Sequence, residues 1–452
     1  MTGEPKLRII GHSPAVQPES FSLFSLLHMP IVSMVGICVI FAAAFFNLAS
    51  LEVEKDKVEF DMQVAVKLLI LGVAGLYGGW GFLTDPRVRK LLTTLPGAFF
   101  SVILVAYCLA ISSALDTTNA IASTAGLVGI VLASATLLVQ IGLLPMLHTL
   151  FYALALYNLG SWFAFFVVPE IGIFDEPIAD GEFFVRMGGL GHPNTLGQFS
   201  GVTIVLGAIL WVYYDARSLW RALIIVSAAG CLVASLSRGS TVATAIALLI
   251  AFRSFFFSRE MLQYWVLLAI LAIFGMIGLL MIGDPIGYVE GKLTSLTKSG
   301  EVSELTTATG RSEIWAYTLR LIAEQPLLGY GATCSKFLLE DYVSYAHNMV
   351  LNVALNAGAF AGLSVVGFFV YRIRECFHRF HPIDGLLIFL MINGFVENVA
   401  FTNLPGMPTI MLFTSVVFWQ LKGDPALELK KPAADSRRNT IGNRRVTERQ
   451  LV

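Results

Sequence analysis

The chain has little charge for its size and no ordered cysteine pattern. Only 13% of its 452 residues are Asp, Glu, Lys or Arg, whereas ordinary globular proteins contain about 25%. Its five cysteines show no CxxC spacing, which excludes a disulfide framework or a zinc site as the organising feature. The formal net charge of -1 argues against a nucleic-acid-binding protein. Hydrophobic residues make up 56% of the chain and predict a polytopic membrane protein.

Runs of about 20 mostly apolar residues predict an all-α fold with twelve membrane-spanning helices. No small-residue cleavage site follows the first run, which therefore predicts a retained helix rather than a signal peptide. The predicted spans are residues 29–49, 65–84, 91–113, 121–140, 143–168, 196–214, 221–237, 241–257, 261–283, 348–371, 383–402 and 406–421.

The basic residues orient these spans, because Lys and Arg accumulate in cytoplasmic loops. Most of the 30 Lys and Arg residues fall on one side if the N-terminus is cytoplasmic, and this places both termini inside. Residues 169–195 and 284–347 then form outer loops, and the second carries a helical pattern around Glu313 to Glu324. The predicted segments are a cytoplasmic segment 1–28, helices one to nine in 29–283, an outer loop 284–347, helices ten to twelve in 348–421, and a basic cytoplasmic tail 422–452 near anionic lipid headgroups.

Ionisable residues at a membrane are costly to retain, so each one is a functional candidate. Basic residues at inner helix ends, such as Arg372, are explained by snorkelling. Another group maps to the outer side: Arg186, His192, Arg238, Arg311, Tyr345, His347 and Asn348. Arg pairs bidentately with phosphate oxygens, so three guanidinium groups at one surface favour a site for a lipid pyrophosphate. Taken singly, Arg186 or Arg238 is explained equally well by bonds to helix-end carbonyls.

His347 stands where the second outer loop runs into a helix. Asn348, Asn352 and Asn356 follow at a four-residue spacing, so their amides form a stripe that should face a polar cavity or other helices. Histidine has an ordinary pKa of about 6.5 and is suited to take a proton from a sugar hydroxyl, although a structural role is equally compatible with a lone histidine. Glu397 is a second candidate base, but a pairing with one of the arginines is favoured, because a buried carboxylate needs a charged partner.

Pyrophosphate leaving groups are neutralised either by divalent metal ions held by carboxylates or by fixed cationic side chains. Among the outer carboxylates only Asp180 and Glu182 have an acid-x-acid spacing, which chance explains in a loop. The sequence therefore predicts no metal and no other cofactor.

Two short motifs bear on function. The pair His347-Asn348, nine further residues and Gly358 match a motif of His, then Asn, Ser or Gln, nine residues and Gly, although Ala361 stands where Gly, Thr or Tyr would complete it. Arg186 and Leu190 match Arg-x-x-x-Leu. With the topology, and with the segments 191–194 and 237–240, these motifs make the chain similar to the O-antigen ligase family of Gram-negative bacteria.

This resemblance implies a GT-C type inverting glycosyltransferase in the bacterial inner membrane, with its active site on the periplasmic side. The enzyme would transfer polysaccharide from undecaprenyl pyrophosphate to lipid A-core in lipopolysaccharide biosynthesis. His347 would deprotonate the acceptor hydroxyl, and Arg186 and Arg238, with Arg311, would stabilise the departing pyrophosphate. The remaining candidate substrate-binding residues are His192, Asn194, Tyr345, Asn348 and Glu397.

Three other functions share parts of this pattern. An O-antigen polymerase would accept another lipid-linked repeat, and a protein O-oligosaccharyltransferase would accept a serine or threonine of a pilin-like protein. The histidine motif favours the ligase and the protein transferase over the polymerase. A transporter of lipid-linked sugars would place polar groups at mid-membrane and along a path to both faces, whereas these candidates map to one side.

Overall fold

Helices dominate the described part of the chain, as the long apolar runs predict. The computed structural model describes residues 30–45, 62–177, 183–214, 218–256, 258, 261, 271, 311–339, 345–402 and 404–421. Several predictions fall outside these residues: the cytoplasmic segment 1–28, nearly all of the ninth span, the loop before Arg311, the basic tail, and the acidic pair Asp180 and Glu182.

Described helices lie within each predicted span except the ninth, although several spans are divided between two helices. Five of them are long and apolar enough to cross a membrane, and they lie between residues 63 and 213. The twelve-span count stays a prediction. The helices are α1 (Ile31–Ala44), α2 (Met62–Thr84), α3 (Pro86–Thr93), α4 (Leu95–Ala110), α5 (Thr117–Ile141), α6 (Leu143–Val167), α7 (Pro169–Gly172), α8 (Pro193–Tyr213), α9 (Leu219–Ala234), α10 (Arg238–Ala251), α11 (Arg253–Phe256), α12 (Arg311–Glu324), α13 (Ser335–Leu338), α14 (Met349–Ala357), α15 (Ala359–His378), α16 (Asp384–Val396) and α17 (Met407–Val417).

Aromatic side chains from three helices meet in the core. The Phe100 ring of α4 stacks on the Phe368 ring of α15 with 5.6 Å between centroids. It also meets the edge of the Phe413 ring of α17 at 5.2 Å, and all three rings are buried. Ring pairs in these geometries stabilise the packing beyond the effect of buried apolar area, so these contacts hold α4, α15 and α17 together.

The predicted tenth span, residues 348–371, is not one continuous helix. It breaks at Gly358, whose φ of 86° is a left-handed conformation that favours glycine. A Cβ at this position would lie 2.1 Å from the carbonyl oxygen of Leu327, so the neighbouring segment requires the glycine. At the break, the Tyr330 N–H donates to the Leu355 carbonyl, 2.9 Å away, and satisfies a carbonyl that the helix leaves open. The helix that follows His347 is therefore only the nine-residue α14.

The loop predicted at residues 169–195 adds strands to the predicted all-helical fold. β1 (Ile173–Pro177) and β2 (Phe183–Met187) form an antiparallel pair in which Phe174 is opposite Arg186. β2 consists of Phe-Phe-Val-Arg-Met, and aromatic and β-branched residues favour strands. The hairpin sets the direction of the Arg186 side chain, because alternate residues of a strand face opposite sides.

The prediction that Arg372 snorkels to the membrane surface is wrong. Its side chain is buried in α15, and Nη2 donates to Asp384 Oδ1 of α16 over 2.6 Å. The Phe418 ring lies 5.1 Å from the guanidinium carbon. An internal ion pair, supported by a cation–π contact, therefore accounts for this charge.

Candidate functional site

The carboxylate of Glu397 is the centre of a charged cluster. Its Oε1 accepts from Arg311 Nη2 at 2.8 Å and from Asn194 Nδ2 at 2.9 Å, and its Oε2 lies 3.0 Å from His347 Nδ1. Glu397 is only 7% exposed, because it follows α16 directly and its backbone turns to an extended conformation there. Glu397 thus pairs with Arg311, which is the role that the sequence favoured for it.

His347 is held in a left-handed backbone conformation just before α14. Its φ is 47°, which costs a residue with a Cβ on the order of 1–2 kcal/mol. The next residue, Asn348, maintains this turn in two ways. Its Oδ1 accepts from the Leu351 N–H at the start of α14, and its Nδ2 donates to the Phe395 carbonyl at 3.2 Å. Asn348 is therefore the N-cap that positions His347.

Two aromatic residues flank His347. The Tyr345 ring centroid lies 4.4 Å from that of the His347 ring. Burial, with a contribution from the negative charge of Glu397, raises the pKa of the Tyr345 phenol, so this group stays a hydrogen-bond donor. Trp315 of α12 donates from Nε1 to the carbonyl of Ala346, the residue before His347, at 3.0 Å. Helix α12 thus contributes Arg311 and also a hydrogen bond to the backbone next to His347.

Arg186 on β2 is bonded to three protein acceptors. Nε donates to the Ser235 carbonyl at 2.9 Å, Nη1 to Glu176 Oε2 at 2.9 Å, and Nη2 to Asn194 Oδ1 at 3.0 Å. Its side chain is only 3% exposed. Glu176 lies diagonally across the hairpin from Arg186, where side chains on one face can meet.

His192 and Asn194 form the start of α8. The Asn194 N–H donates to His192 Nδ1 at 3.2 Å, so the imidazole acts as a helix cap, and Pro193 occupies the first turn. The His192 ring also meets the Phe174 ring of the hairpin, with 4.9 Å between centroids. The hairpin and α8 are joined at this point, beside the amide that reaches Glu397.

Arg238 is an exposed first residue of α10, which follows a tight turn from α9. The turn fits closely against α8, because a Cβ at Gly197 would lie 2.4 Å from the Cβ of Ser237. Ser240 then donates to Asn393 Oδ1 at 3.0 Å and links α10 to α16 four residues before Glu397. The turn that carries Arg238 is therefore anchored to α8, which carries Asn194, and to α16, which ends before Glu397.

Comparison with known families identifies part of the chain. Residues 222–366 match the model of the O-antigen ligase family. This segment is an O-antigen ligase family domain. It contains Arg238, Arg311 and His347, whereas Arg186, Asn194 and Glu397 lie outside the matched range. None of the curated proteins that were compared with the chain matches it. Together with the five long apolar helices, this match supports a helical membrane protein that carries an O-antigen ligase family domain.

The structure brings four of the predicted site residues together around Glu397. Asn194, Arg311 and His347 bond directly to Glu397, and Arg186 joins them through Asn194. The sequence did not indicate two further residues of the site. Glu176 bonds to Arg186, and Trp315 bonds to the Ala346 carbonyl next to His347. The aromatic and β-branched residues of Phe-Phe-Val-Arg-Met were the available signal for Glu176, because such residues predict a strand, and a strand that carries Arg186 can pair with the segment that carries Glu176. For Trp315 the sequence carried no comparable signal.

No group of three or more His, Cys, Asp or Glu side chains suited to a metal ion occurs among the described residues. The acidic pair Asp180 and Glu182 is not among those residues. The cluster around Glu397 offers a carboxylate that is already bonded to Arg311, and a cation next to this carboxylate opposes a second cation. Independence of metal ions stays a prediction.

Proposed function

We propose that the protein is an O-antigen ligase of the GT-C type that transfers polysaccharide from undecaprenyl pyrophosphate to lipid A-core. Its site would face the periplasm from the bacterial inner membrane. The observation that carries the proposal is the 3.0 Å contact between His347 Nδ1 and Glu397 Oε2, next to the Arg311 guanidinium that bonds to the same carboxylate. It combines an oriented proton acceptor with cationic groups, and these are the two requirements of a transfer from a pyrophosphate.

The contact with Glu397 determines which histidine nitrogen can act as the base. A carboxylate only accepts, so neutral His347 donates its Nδ1–H to Oε2 and carries a lone pair on Nε2. The acceptor hydroxyl oxygen forms its bond to the anomeric carbon while Nε2 takes the hydroxyl proton. Glu397 then stabilises the imidazolium, as a carboxylate does in other acid–base pairs with histidine.

The same displacement breaks the bond between the anomeric carbon and the pyrophosphate oxygen. Attack from the opposite side inverts the anomeric carbon, and no covalent enzyme intermediate is needed. Negative charge then develops on undecaprenyl pyrophosphate. Arg238 is suited to stabilise it, because it is an exposed residue at the positively polarised start of the 14-residue α10. Arg311, 19% exposed and fixed by Glu397, is the second such group.

The proposal is tested with the purified protein in lipid vesicles, lipid-linked polysaccharide and rough lipopolysaccharide that ends in lipid A-core. The expected product is lipopolysaccharide that carries the polysaccharide, detected by its shift on a gel. His347→Asn is the matched inactive variant, because asparagine tolerates the left-handed backbone of position 347.

Each alternative gives a different product in the same assay. Longer lipid-linked glycan without modified lipopolysaccharide identifies a polymerase, and transfer only to a pilin-like protein identifies a protein O-oligosaccharyltransferase. Movement of lipid-linked glycan across the vesicle membrane with no transfer identifies a transporter. Any of these results, or full ligation by His347→Asn, contradicts the proposal.

A further inference from the structure

The bonding of Arg186 differs from that of a ligand-binding arginine. A guanidinium has five N–H donors, and a pyrophosphate ligand uses two of them in a parallel pair on one edge. In Arg186 each of the three nitrogens donates to a protein acceptor, namely Ser235, Glu176 and Asn194. With 3% of the side chain exposed, neither edge of the fork is open to a lipid-borne anion.

The bond to Asn194 connects Arg186 with the proposed base. Asn194 accepts from Arg186 on Oδ1 and donates from Nδ2 to Glu397 Oε1. This use of both ends of the amide determines its orientation, because a flipped amide would present its NH₂ group to the guanidinium. Glu397 in turn contacts His347 through Oε2. A continuous chain of four side chains therefore runs from the hairpin to the histidine.

We propose that Arg186 is a positioning residue that acts through Asn194 on Glu397 and His347, and that it does not contact the donor. The inference rests on the proposed function, because it assigns Arg186 a place in that reaction. The two arginines then have different roles. The sequence predicts both as pyrophosphate ligands, and under this inference only Arg238 keeps that role.

The test is a double-mutant cycle in the full-length protein with Arg186→Gln and Asn194→Ala. Each variant should lower kcat of glycan transfer by about 10- to 100-fold, the effect of losing a hydrogen bond to a charged group, while KM for the donor stays within about two-fold. The double variant should be no slower than the slower single variant, because both changes break one chain. Asn119→Ala, at an exposed asparagine in the first turn of α5, is the matched control and should not alter kcat.

A second readout does not depend on glycan transfer. The rate at which diethyl pyrocarbonate modifies His347 without donor is followed by mass spectrometry. Arg186→Gln and Asn194→Ala should change this rate by the same factor, whereas Arg238→Gln should leave it at the parent value. If the parent transfers no glycan and the modification rates follow this pattern, the proposed function fails and the positioning chain stands.

Three results would overturn the inference. The first is an increase in donor KM for Arg186→Gln that Asn194→Ala does not share. The second is a double variant whose losses multiply, since the two residues would then act independently. The third is a His347 modification rate unchanged in Asn194→Ala, and this variant covers the case in which Arg186→Gln does not fold.

Discussion

Replacing Glu397 by Gln is a sharp test of the site, because the amide cannot satisfy the three donors around it. If the amide oxygen faces Arg311 and Asn194, its NH₂ group faces His347 Nδ1, which must then accept. The proton moves to Nε2 and the base is lost. If the amide is turned over, its NH₂ group opposes the two donors of Arg311 and Asn194 instead.

Two reference values bound the expected effect. Losing a hydrogen bond to a charged group costs about 1.5–3 kcal/mol, which corresponds to about 10- to 100-fold in rate. The wrong histidine tautomer costs about 10⁴-fold in kcat in a Ser-His-Asp triad. Because Glu397→Gln perturbs both the charge and the tautomer, we expect kcat to fall by about 10²- to 10⁴-fold, toward the upper end if the first orientation dominates.

The assay is initial-rate ligation by purified protein in vesicles at saturating donor, with thermal unfolding of each variant as the check on folding. Glu313→Gln is the matched control, because Glu313 is an exposed carboxylate on α12, two residues from Arg311. It should retain the parent rate. A folded Glu397→Gln protein with kcat within about three-fold of the parent would refute the orientation of His347 by Glu397.

Further predictions concern the leaving group, metal ions and stability. Arg238→Lys should raise the donor KM or lower kcat by at least about 10-fold, because a point charge cannot replace the guanidinium fork, and parent kinetics would remove Arg238 from the donor site. Ligation should proceed unchanged in excess EDTA, and a loss that Mg²⁺ restores would point to Asp180 and Glu182 as ligands. Arg372→Met should destabilise the protein by about 3–5 kcal/mol in thermal unfolding, because it leaves Asp384 buried without its charged partner, whereas adding Asp384→Leu should recover most of the loss. Equal stability of the single and double variants would contradict an ion pair at this position.

Local sequence patterns predicted the helices well, because an apolar run near the length of a membrane span has few alternative structures. The helical stretch predicted around Glu313 to Glu324 is observed as α12, Arg311–Glu324. The break at Gly358 was missed because hydropathy is continuous across it. A distant segment creates the break, when the Leu327 carbonyl comes too close for any side chain at Gly358. Arg372 was misread for a similar reason, since its partner lies on the next helix.

The candidate site was predictable as a set of residues but not as a bonded arrangement. Motif spacing predicted His347, and the distribution of Lys and Arg between the two sides of the predicted spans placed the arginines on the same side. Neither indicates that Asn194 stands between Arg186 and Glu397, because a side-chain contact between residues 203 positions apart leaves no local pattern. Arg186 and Arg238 look alike in the sequence, and only burial separates them: one is enclosed by three acceptors and the other is exposed.

The carboxylate of Glu397 also has a consequence for the synthesis of the protein. Its three partners precede it by 203, 86 and 50 positions, so the cluster closes only after all of the elements from the hairpin to α16 have been made. A chain still emerging from the ribosome already contains Arg186, Arg238 and His347, yet it lacks the group that orients the histidine. Under the proposed function, an unfinished copy therefore lacks an oriented base, and glycan transfer begins only after Glu397 has been made.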